Sequence, residues 1–341
     1  MRRVACLTLP LLFLFFTGCA DQTTAPDIDV TASFAKGGGG KPPKPGGGDP
    51  PAPAKPVISF LGGSLRHPAL QVMDADGGNK TAIYNGADFM HSSWSPLGDG
   101  TALDPYVILV SAGGPRAQPL EKLEVVIEGG VPVVQSITTF SSETRRYWHA
   151  TVRPNGEDFL VVDLGDPALD FYDLFLGDMD MVEGATMQLL YRSPEGRWLD
   201  HPTWSADGMK VAFFERGITE YGSADVRILN MSVEPFEVTT AFSVTWVDAA
   251  GGPFPHNLSW ARTSNELLLD VEGLIYRVDL DDVPTPALGD PIAEGTYAVW
   301  SPDDTQMAYL DKFLYVKTFG VSQDQRFPGG WYPDWRRNPI Q

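Results

Sequence analysis

Cysteine is nearly absent from this sequence. Only Cys6 and Cys19 occur among 341 residues, and both lie within the first 19. A disulfide between distant parts of a fold is therefore excluded, because no cysteine follows residue 19. Any folded domain in the rest of the chain must be stabilised by its apolar core.

Positive charge is also scarce. The chain has 25 Lys and Arg against 44 Asp and Glu, which gives a formal net charge of −19. Six of the basic and four of the acidic residues precede Val57, so the remainder carries −21. A field of that sign argues against binding to nucleic acid and against direct adhesion to anionic membranes.

Several catalytic motifs are missing as well. The sequence contains no Gly-x-Ser-x-Gly elbow, no His-Glu-x-x-His pair and no phosphate-binding loop. These absences remove the sequence signals of a serine hydrolase, a zinc protease and a nucleotide-dependent enzyme. A non-catalytic protein is therefore the simpler expectation.

The amino terminus is typical of an exported protein. Arg2 and Arg3 precede a 13-residue apolar run from Val4 to Phe16, which is too short to span a bilayer comfortably. The following residues complete Phe16-Thr17-Gly18-Cys19, which resembles a bacterial lipobox and implies cleavage before Cys19 and acylation of its thiol. We predict a lipoprotein signal peptide over residues 1–18, with an ordinary cleaved signal peptide as the alternative.

The next segment has the composition of a flexible linker. Residues 20–56 are dominated by Gly, Pro, Lys and small polar residues, and they cannot bury enough apolar surface to offset the entropy of ordering. We predict an acylated Cys19 and a disordered tether over residues 19–56, with a mean span on the order of 30 Å. Resemblance to Gram-negative lipoproteins implies an outer-membrane location, because Ala20 rather than Asp follows the cysteine.

A short motif recurs six times after residue 56. Its clearest copy is His201-Pro202-Thr203-Trp204-Ser205-Ala206-Asp207-Gly208, a strand that ends in an aromatic residue and a tight turn, followed by an apolar run. We call the residue at the position of Trp204 in each copy its anchor, and the six anchors are Trp94, Val152, Trp204, Trp260, Trp300 and Trp335. Successive anchors are 58, 52, 56, 40 and 35 residues apart. The 285 residues from Val57 onward give about 47 per repeat, which is typical of a four-stranded propeller blade.

These copies resemble the repeats of TolB-like propellers, which are also called PD40 or WD40-like repeats. Trp94-Ser95-Pro96, Trp204-Ser205-Ala206-Asp207-Gly208 and Trp300-Ser301-Pro302-Asp303 match that motif, whereas the copy at Val152 lacks the tryptophan. The resemblance implies an all-β, six-bladed propeller over residues 57–341. Its sixth repeat stops at Trp335 after one strand, so we predict that strands over 57–61, 70–73 and 80–84 close the ring with it.

Histidines concentrate at one position of the repeat. We call the residue three places before each anchor a channel-mouth residue, and the six are His91, His149, His201, Asn257, Tyr297 and Tyr332. A further histidine, His256, directly precedes Asn257. Because this position begins the innermost strand of a blade, we expect these side chains to gather at one mouth of the central channel. His91, His149 and His201 are metal-ligand candidates, since converging imidazoles bind metal ions. The alternative is a polar channel lining without metal, which we favour from sequence alone.

Two functions follow from this interpretation. The first is a non-catalytic, membrane-anchored propeller that binds a protein or a polymer of the cell envelope and contacts the membrane through its lipid only. The second is a metal-dependent polysaccharide lyase, because some TolB-like propellers that act as uronate lyases use a histidine cluster of this kind. We expect a monomer without a resident cofactor that faces the periplasm or the cell surface.

Overall fold

The computed structural model describes residues 55–336 apart from eleven short gaps: 65–66, 86–88, 113–119, 141–145, 165–171, 183–184, 218–221, 247–254, 256, 283–287 and 329. The elements within this part of the chain are β-strands, and it contains no helix. Accordingly, none of the described segments is a helix that could cross a bilayer. The predicted lipidation site Cys19 and the channel candidate His256 lie outside the described residues.

Over the described residues, twenty-four strands form six antiparallel sheets of four strands each. In chain order the strands are β1 (Ile58–Ser64), β2 (His67–Met73), β3 (Thr81–Tyr84), β4 (Phe89–Trp94), β5 (Tyr106–Ala112), β6 (Leu120–Glu128), β7 (Val131–Thr139), β8 (Tyr147–Val152), β9 (Asp158–Asp163), β10 (Asp173–Asp178), β11 (Gln188–Arg192), β12 (Arg197–Trp204), β13 (Lys210–Gly217), β14 (Ser223–Asn230), β15 (Glu237–Thr245), β16 (Leu258–Trp260), β17 (Glu266–Val271), β18 (Leu274–Asp279), β19 (Ala293–Glu294), β20 (Thr296–Trp300), β21 (Gln306–Asp311), β22 (Phe313–Thr318), β23 (Gln325–Phe327) and β24 (Trp331–Trp335).

Each sheet is one blade of a propeller. Blade 1 combines β24 with β1, β2 and β3, and blades 2 to 6 take the remaining strands in consecutive groups of four. The strands that end at the anchors, β24, β4, β8, β12, β16 and β20, contact one another in a complete circle. The predicted six-bladed propeller is therefore confirmed.

The ring closes as the sequence predicted. Strand β1 pairs antiparallel with β24, with Ile58 opposite Trp335 and Ser59 opposite Asp334. One strand from the end of the chain thus joins three strands from its beginning in blade 1. Closure of this kind leaves no blade with an unpaired inner face.

The core is divided into six apolar clusters, one between each pair of neighbouring blades. Every cluster contains one anchor, which packs against the preceding blade of the ring. Trp94, Trp204, Trp260 and Trp300 are among the largest fully buried side chains, and Val152 fills the equivalent place in the seam between blades 2 and 3. The recurrent tryptophan is therefore the wedge that joins one blade to the next.

The apolar second strands supply both faces of each blade. In β13, Val211 and Phe213 pack toward blade 3, whereas Ala212 and Phe214 pack toward blade 5. Successive side chains of a strand point to opposite faces of the sheet, so a strand that is buried on both faces must be apolar throughout. This explains why the apolar run after each anchor shows no alternation with polar residues.

A hydrogen bond also crosses the seams next to the anchors. In four seams the residue before an anchor accepts a hydrogen bond from the backbone N–H of the next anchor, as Ser93 Oγ does from Val152 (3.1 Å) and Asp334 Oδ2 from Trp94 (2.9 Å). Thr203 and Ser259 accept equivalent bonds from Trp260 and Trp300 at 3.1 and 3.2 Å. Each bond satisfies a buried donor and fixes the height of one inner strand against its neighbour.

The serine and aspartate of the motif stabilise the turn after the anchor. Ser205 Oγ donates a hydrogen bond to Asp207 Oδ1 (2.6 Å), and Asp207 accepts another from the Met209 N–H (2.9 Å). Burial opposes ionisation of Asp207, but these hydrogen bonds outweigh it and hold the pKa of Asp207 below its ordinary value. Gly208 then takes a positive φ of 66°, a conformation that favours glycine.

We predict that the apolar cluster between blades 6 and 1, which closes the ring, contributes to the free energy of unfolding as an ordinary protein core does. Phe60 is 0% exposed in the cluster between blades 6 and 1, so Phe60→Ala should lower the free energy of unfolding by about 3–5 kcal/mol. Phe313→Ala is the matched control, because Phe313 is 38% exposed and its loss should cost less than about 1 kcal/mol. Urea denaturation of the two variants measures both values, and equal effects would contradict a packed closing seam.

Candidate functional site

The six channel-mouth residues line one cavity on the propeller axis. His91, His149, His201, Asn257, Tyr297 and Tyr332 all contribute to its wall. The structure thus brings these six side chains together around one cavity. Blades 2 to 4 contribute the imidazoles of this wall, and blades 5, 6 and 1 contribute the amide and the phenols.

A local backbone irregularity marks most of these positions. His149, His201, Tyr297 and Tyr332 have positive φ values of 40°, 49°, 56° and 51°. In each case the register of the inner strand against its partner shifts near the same residue. Residues other than glycine adopt this conformation at a cost of about 1–2 kcal/mol each, so the seams on both sides must hold the strand in place.

The three histidines come close together. Their potential ligand atoms all lie within 4.8 Å of one another. The His149 and His201 rings stack with centroids 3.7 Å apart, and the His91 ring meets the edge of the His149 ring at 3.9 Å. Three imidazoles so close can share one small cation.

A carboxylate that the sequence reasoning missed supports this cluster. Asp200 Oδ1 lies 2.9 Å from His149 Nδ1, and Arg216 donates to Asp200 Oδ2 at 3.1 Å. The Arg216 guanidinium in turn lies over the Trp198 ring, 4.3 Å from its centroid. One signal was present in the sequence, since Asp200 is the sole carboxylate four residues before an anchor.

The interior of the channel favours neutral imidazoles. Desolvation, followed by the charge of Arg216, holds the pKa of His149 well below its ordinary value, and desolvation and His149 do the same for His91. At neutral pH these two rings therefore keep a nitrogen lone pair, which a metal ion requires.

The opposite side of the mouth carries two tyrosines and an asparagine. The Tyr297 and Tyr332 rings meet edge to face with centroids 4.4 Å apart. Burial, and then the charge and hydrogen bond of Tyr332, raises the pKa of Tyr297 far above its ordinary value, so its phenol stays protonated. Asn257 donates its amide to the Ala298 carbonyl at 2.9 Å and thus has a structural partner in the next blade.

An arginine and an aspartate complete the wall of the cavity. Burial lowers the pKa of Arg262 to about 10, an effect that the charges of Asp334 and Asp304 reduce. Arg262 thus stays charged at neutral pH, and Asp334 also accepts the Trp94 hydrogen bond that crosses the seam. Sequence analysis identified neither residue as a site candidate, because both lie in seams between blades that form only when the ring folds.

The size of the cavity limits what it can hold. Its volume is about 70 Å³, which is room for a few water molecules, whereas sites for small organic ligands measure roughly 300–1,000 Å³. A metal ion with one or two exogenous ligand atoms fits this space. A sugar ring would have to lie above the mouth.

The lowered histidine pKa values predict a loss of stability in acid. Below pH 6.5, the ordinary value, the unfolded chain binds protons that the folded His91 and His149 do not, so the free energy of unfolding should fall by about 1.4 kcal/mol per pH unit for each ring. Urea denaturation from pH 7 to 5 measures this slope. It should flatten in a His91→Gln/His149→Gln variant and persist in Asn257→Ala. An equal slope in the double variant would show that other groups cause it.

The comparisons with known proteins concern the fold. The sequence matches no protein-family model, and no curated protein matches it. Among solved structures, it is similar to a protein of Agrobacterium tumefaciens described as a TolB, with 13% identity, a TM-score of 0.51 and coverage of 81% of this chain and 91% of that one. A Lactobacillus plantarum protein matches with 9% identity, the same TM-score and coverage of 82% and 99%.

One further match has an enzyme name. An oligogalacturonate lyase of Vibrio parahaemolyticus matches with 10% identity, a TM-score of 0.42 and coverage of 82% of this chain and 71% of that one. A likeness this weak supports no statement about activity. The chain is a six-bladed β-propeller that shares its fold with TolB-like proteins.

Proposed function

We propose that this protein is a membrane-tethered propeller that binds one divalent transition-metal ion with His91, His149 and His201. The observation that carries the proposal is the convergence of their potential ligand atoms within 4.8 Å of one another. If the channel had a polar lining without metal, these side chains would need to bond only to neighbouring blades. Convergence of three rings on one point favours the metal ion instead.

The donor set also fits such an ion. Imidazole nitrogen suits Zn²⁺ and its neighbours in the first transition row, and three protein ligands leave at least one coordination place for an exogenous group. The ligands come from blades 2, 3 and 4, so the other half of the mouth leaves the ion accessible from the side of the tyrosines. We propose that a carboxylate or another anionic group of an envelope protein or polymer takes that place.

The location of the protein belongs to the same proposal. The apolar run before Cys19 and the Gly- and Pro-rich segment after it support a lipid anchor with a flexible tether. The negative charge of the chain opposes contact between the propeller and anionic lipids. We therefore propose a lipoprotein of the outer membrane that faces the periplasm or the cell surface.

A metal-dependent polysaccharide lyase is the second candidate, because an ion with an open place can polarise a uronate carboxylate. Such an enzyme also needs a base that removes a proton from the sugar. Tyr297 is unsuited to this role, since its raised pKa keeps the phenol protonated. The cavity volume of about 70 Å³ further requires that the sugar bind outside the channel.

We expect the purified protein to contain close to one equivalent of Zn²⁺ or Mn²⁺ by elemental analysis. The triple variant His91→Gln/His149→Gln/His201→Gln should lose the metal, together with the thermal stability that metal binding confers. Asn257→Ala is the control, because Asn257 lines the same cavity and its amide is already bonded.

A protein that neither contains nor binds a stoichiometric metal ion would overturn the metal proposal and favour a non-catalytic propeller with a polar channel lining. Release of unsaturated uronate from oligogalacturonate, lost in the triple variant, would instead promote the lyase.

The tether makes a separate prediction. Cys19→Ala should release the protein from membranes without changing its melting temperature, because acylation acts on a flexible segment. Fractionation with a carbonate wash, together with a thermal melt, measures both effects. If the variant stays in the membrane fraction, the lipoprotein assignment is wrong.

A further inference from the structure

We infer that the turns of blades 2 and 3 that follow the anchors form a docking surface for a peptide segment of another protein, in which basic side chains alternate with apolar ones. Each inner strand runs from a channel-mouth residue to its anchor, so these turns lie at the opposite end of the strands from the histidines. The surface combines a projecting apolar loop with an acidic cavity. It goes beyond the proposed metal site and does not depend on it.

The loop between β4 and β5 forms one wall of this surface. It has eleven residues (95–105), whereas each of the corresponding turns in blades 3 to 6 has five, such as 205–209. Hydrogen bonds hold the loop in one shape, because the N–H groups of Asp99 and Gly100 both donate to the Asp104 carbonyl at 3.0 Å. The N–H of Ile127 in β6 donates to the Gly100 carbonyl at 2.8 Å and ties the loop to its own blade. The loop therefore presents its side chains at fixed positions.

Apolar side chains project from this loop and from the neighbouring blade. Leu103 is 98% exposed, and Leu97, which lines the cavity, is 42% exposed. In blade 3, Val182 is 71% exposed and follows the cavity residue Asp180 by two positions. Single exposed apolar residues are common on protein surfaces, but several beside one cavity are typical of an interaction site.

The cavity lies between this loop and blade 3. Its volume is about 430 Å³, within the range of roughly 300–1,000 Å³ that is usual for small-ligand sites, so a lysine or arginine side chain fits inside. One lysine, Lys122, lines it together with six carboxylates: Asp104, Glu124, Glu157, Asp158, Asp178 and Asp180. Lys122 is already engaged, since it donates to the Met179 carbonyl at 2.9 Å and lies 3.9 Å from Glu124 Oε1.

Three of these carboxylates are available to a partner. Glu157, Asp178 and Asp180 are exposed, and none of them forms an ion pair with another described residue. They also do not converge on one ion, because over the described part of the chain only the three histidines bring their ligand atoms close enough to share a metal. Carboxylates spread along a cavity suit cationic groups spaced along a chain.

Charge and apolar exposure together define the partner. The net negative charge of the protein accelerates association with a basic partner, and the cavity gives that attraction a direction. A small cation or a polyamine would leave Leu103 and Leu97 exposed. A peptide in which lysine or arginine alternates with leucine-like residues satisfies the carboxylates and covers the leucines at the same time.

The first experiment tests the apolar loop. A labelled Lys-Leu-Lys-Leu-Lys peptide and a Lys-Ser-Lys-Ser-Lys peptide are titrated with the full chain at physiological ionic strength, and binding is measured by fluorescence anisotropy. The first peptide should bind more tightly, and Leu103→Ser should raise its dissociation constant by about 10-fold, because a buried leucine contact is lost. The melting temperature should not change, since Leu103 is 98% exposed in the free protein. Val321→Ser is the control, because Val321 is 50% exposed between β22 and β23 of blade 6, and its affinity should stay within about 2-fold.

A second set of variants tests the cavity. Glu157→Gln/Asp178→Asn/Asp180→Asn should raise the dissociation constant of the Lys-Leu peptide by about 10-fold, because three ion pairs are lost. Asp282→Asn/Asp290→Asn/Glu294→Gln is the matched control, since it removes the same number of exposed carboxylates from blade 5 and changes the net charge equally. Its affinity should stay within about 2-fold of the wild type.

Equal weakening by the two triple variants would show that net charge alone attracts the peptide, and it would overturn the inference. Equal affinity for the Lys-Ser peptide, or unchanged affinity in Leu103→Ser, would overturn it as well, because the apolar loop would then have no role. The peptide affinity should be the same with and without EDTA. Failure of the metal proposal therefore leaves this surface standing, and failure of the peptide to bind leaves the metal proposal standing.

Discussion

The packing of one large side chain into each seam between blades is the contact on which the rest of this structure depends. Six apolar clusters hold the ring together, and each is centred on one anchor. No disulfide assists them, because both cysteines precede residue 20. A blade buries two faces only if both neighbours are present, so stability arises from the closed ring rather than from single sheets.

The same packing creates the candidate site. An anchor buried in a seam fixes the end of the inner strand, and seam hydrogen bonds, such as those that Val152 donates to Ser93 and Trp260 donates to Thr203, fix the height of one inner strand against the next. The residue three places earlier then has little choice of position, and at His149 and His201 it adopts a left-handed conformation. Strain of this kind persists only where the surroundings over-determine it, and two packed seams do so here.

This relation explains what the sequence could predict. The propeller, its closure and the gathering of the channel-mouth residues follow from a motif with a fixed offset to its anchor, so reading the repeat was sufficient. The copy at Val152 was found without its tryptophan because the turn and the apolar run after it are intact. The lipid anchor and tether stay predictions, since residues 1–54 are not among those described.

The details of the site could not be read from the sequence. His149 and His201 are 52 residues apart, and the distance between their rings depends on how blades 3 and 4 pack. The roles of Asp200 and Arg262 depend on partners in other blades, which no local pattern encodes. Sequence reasoning therefore favoured a polar lining, and only the geometry of the three rings shifts the balance toward a metal ion.

The histidines and the tyrosines occupy different halves of the channel mouth. Blades 2, 3 and 4 contribute the imidazoles, whereas blades 6 and 1 contribute the phenols of Tyr297 and Tyr332. A metal ion on the histidine side would turn its open coordination places toward these phenols. Because Tyr297 stays protonated, its phenol adds no negative charge on that side, where the Asp334 carboxylate of blade 1 also lines the cavity. The cavity of about 70 Å³ between the two halves leaves room only for a small group.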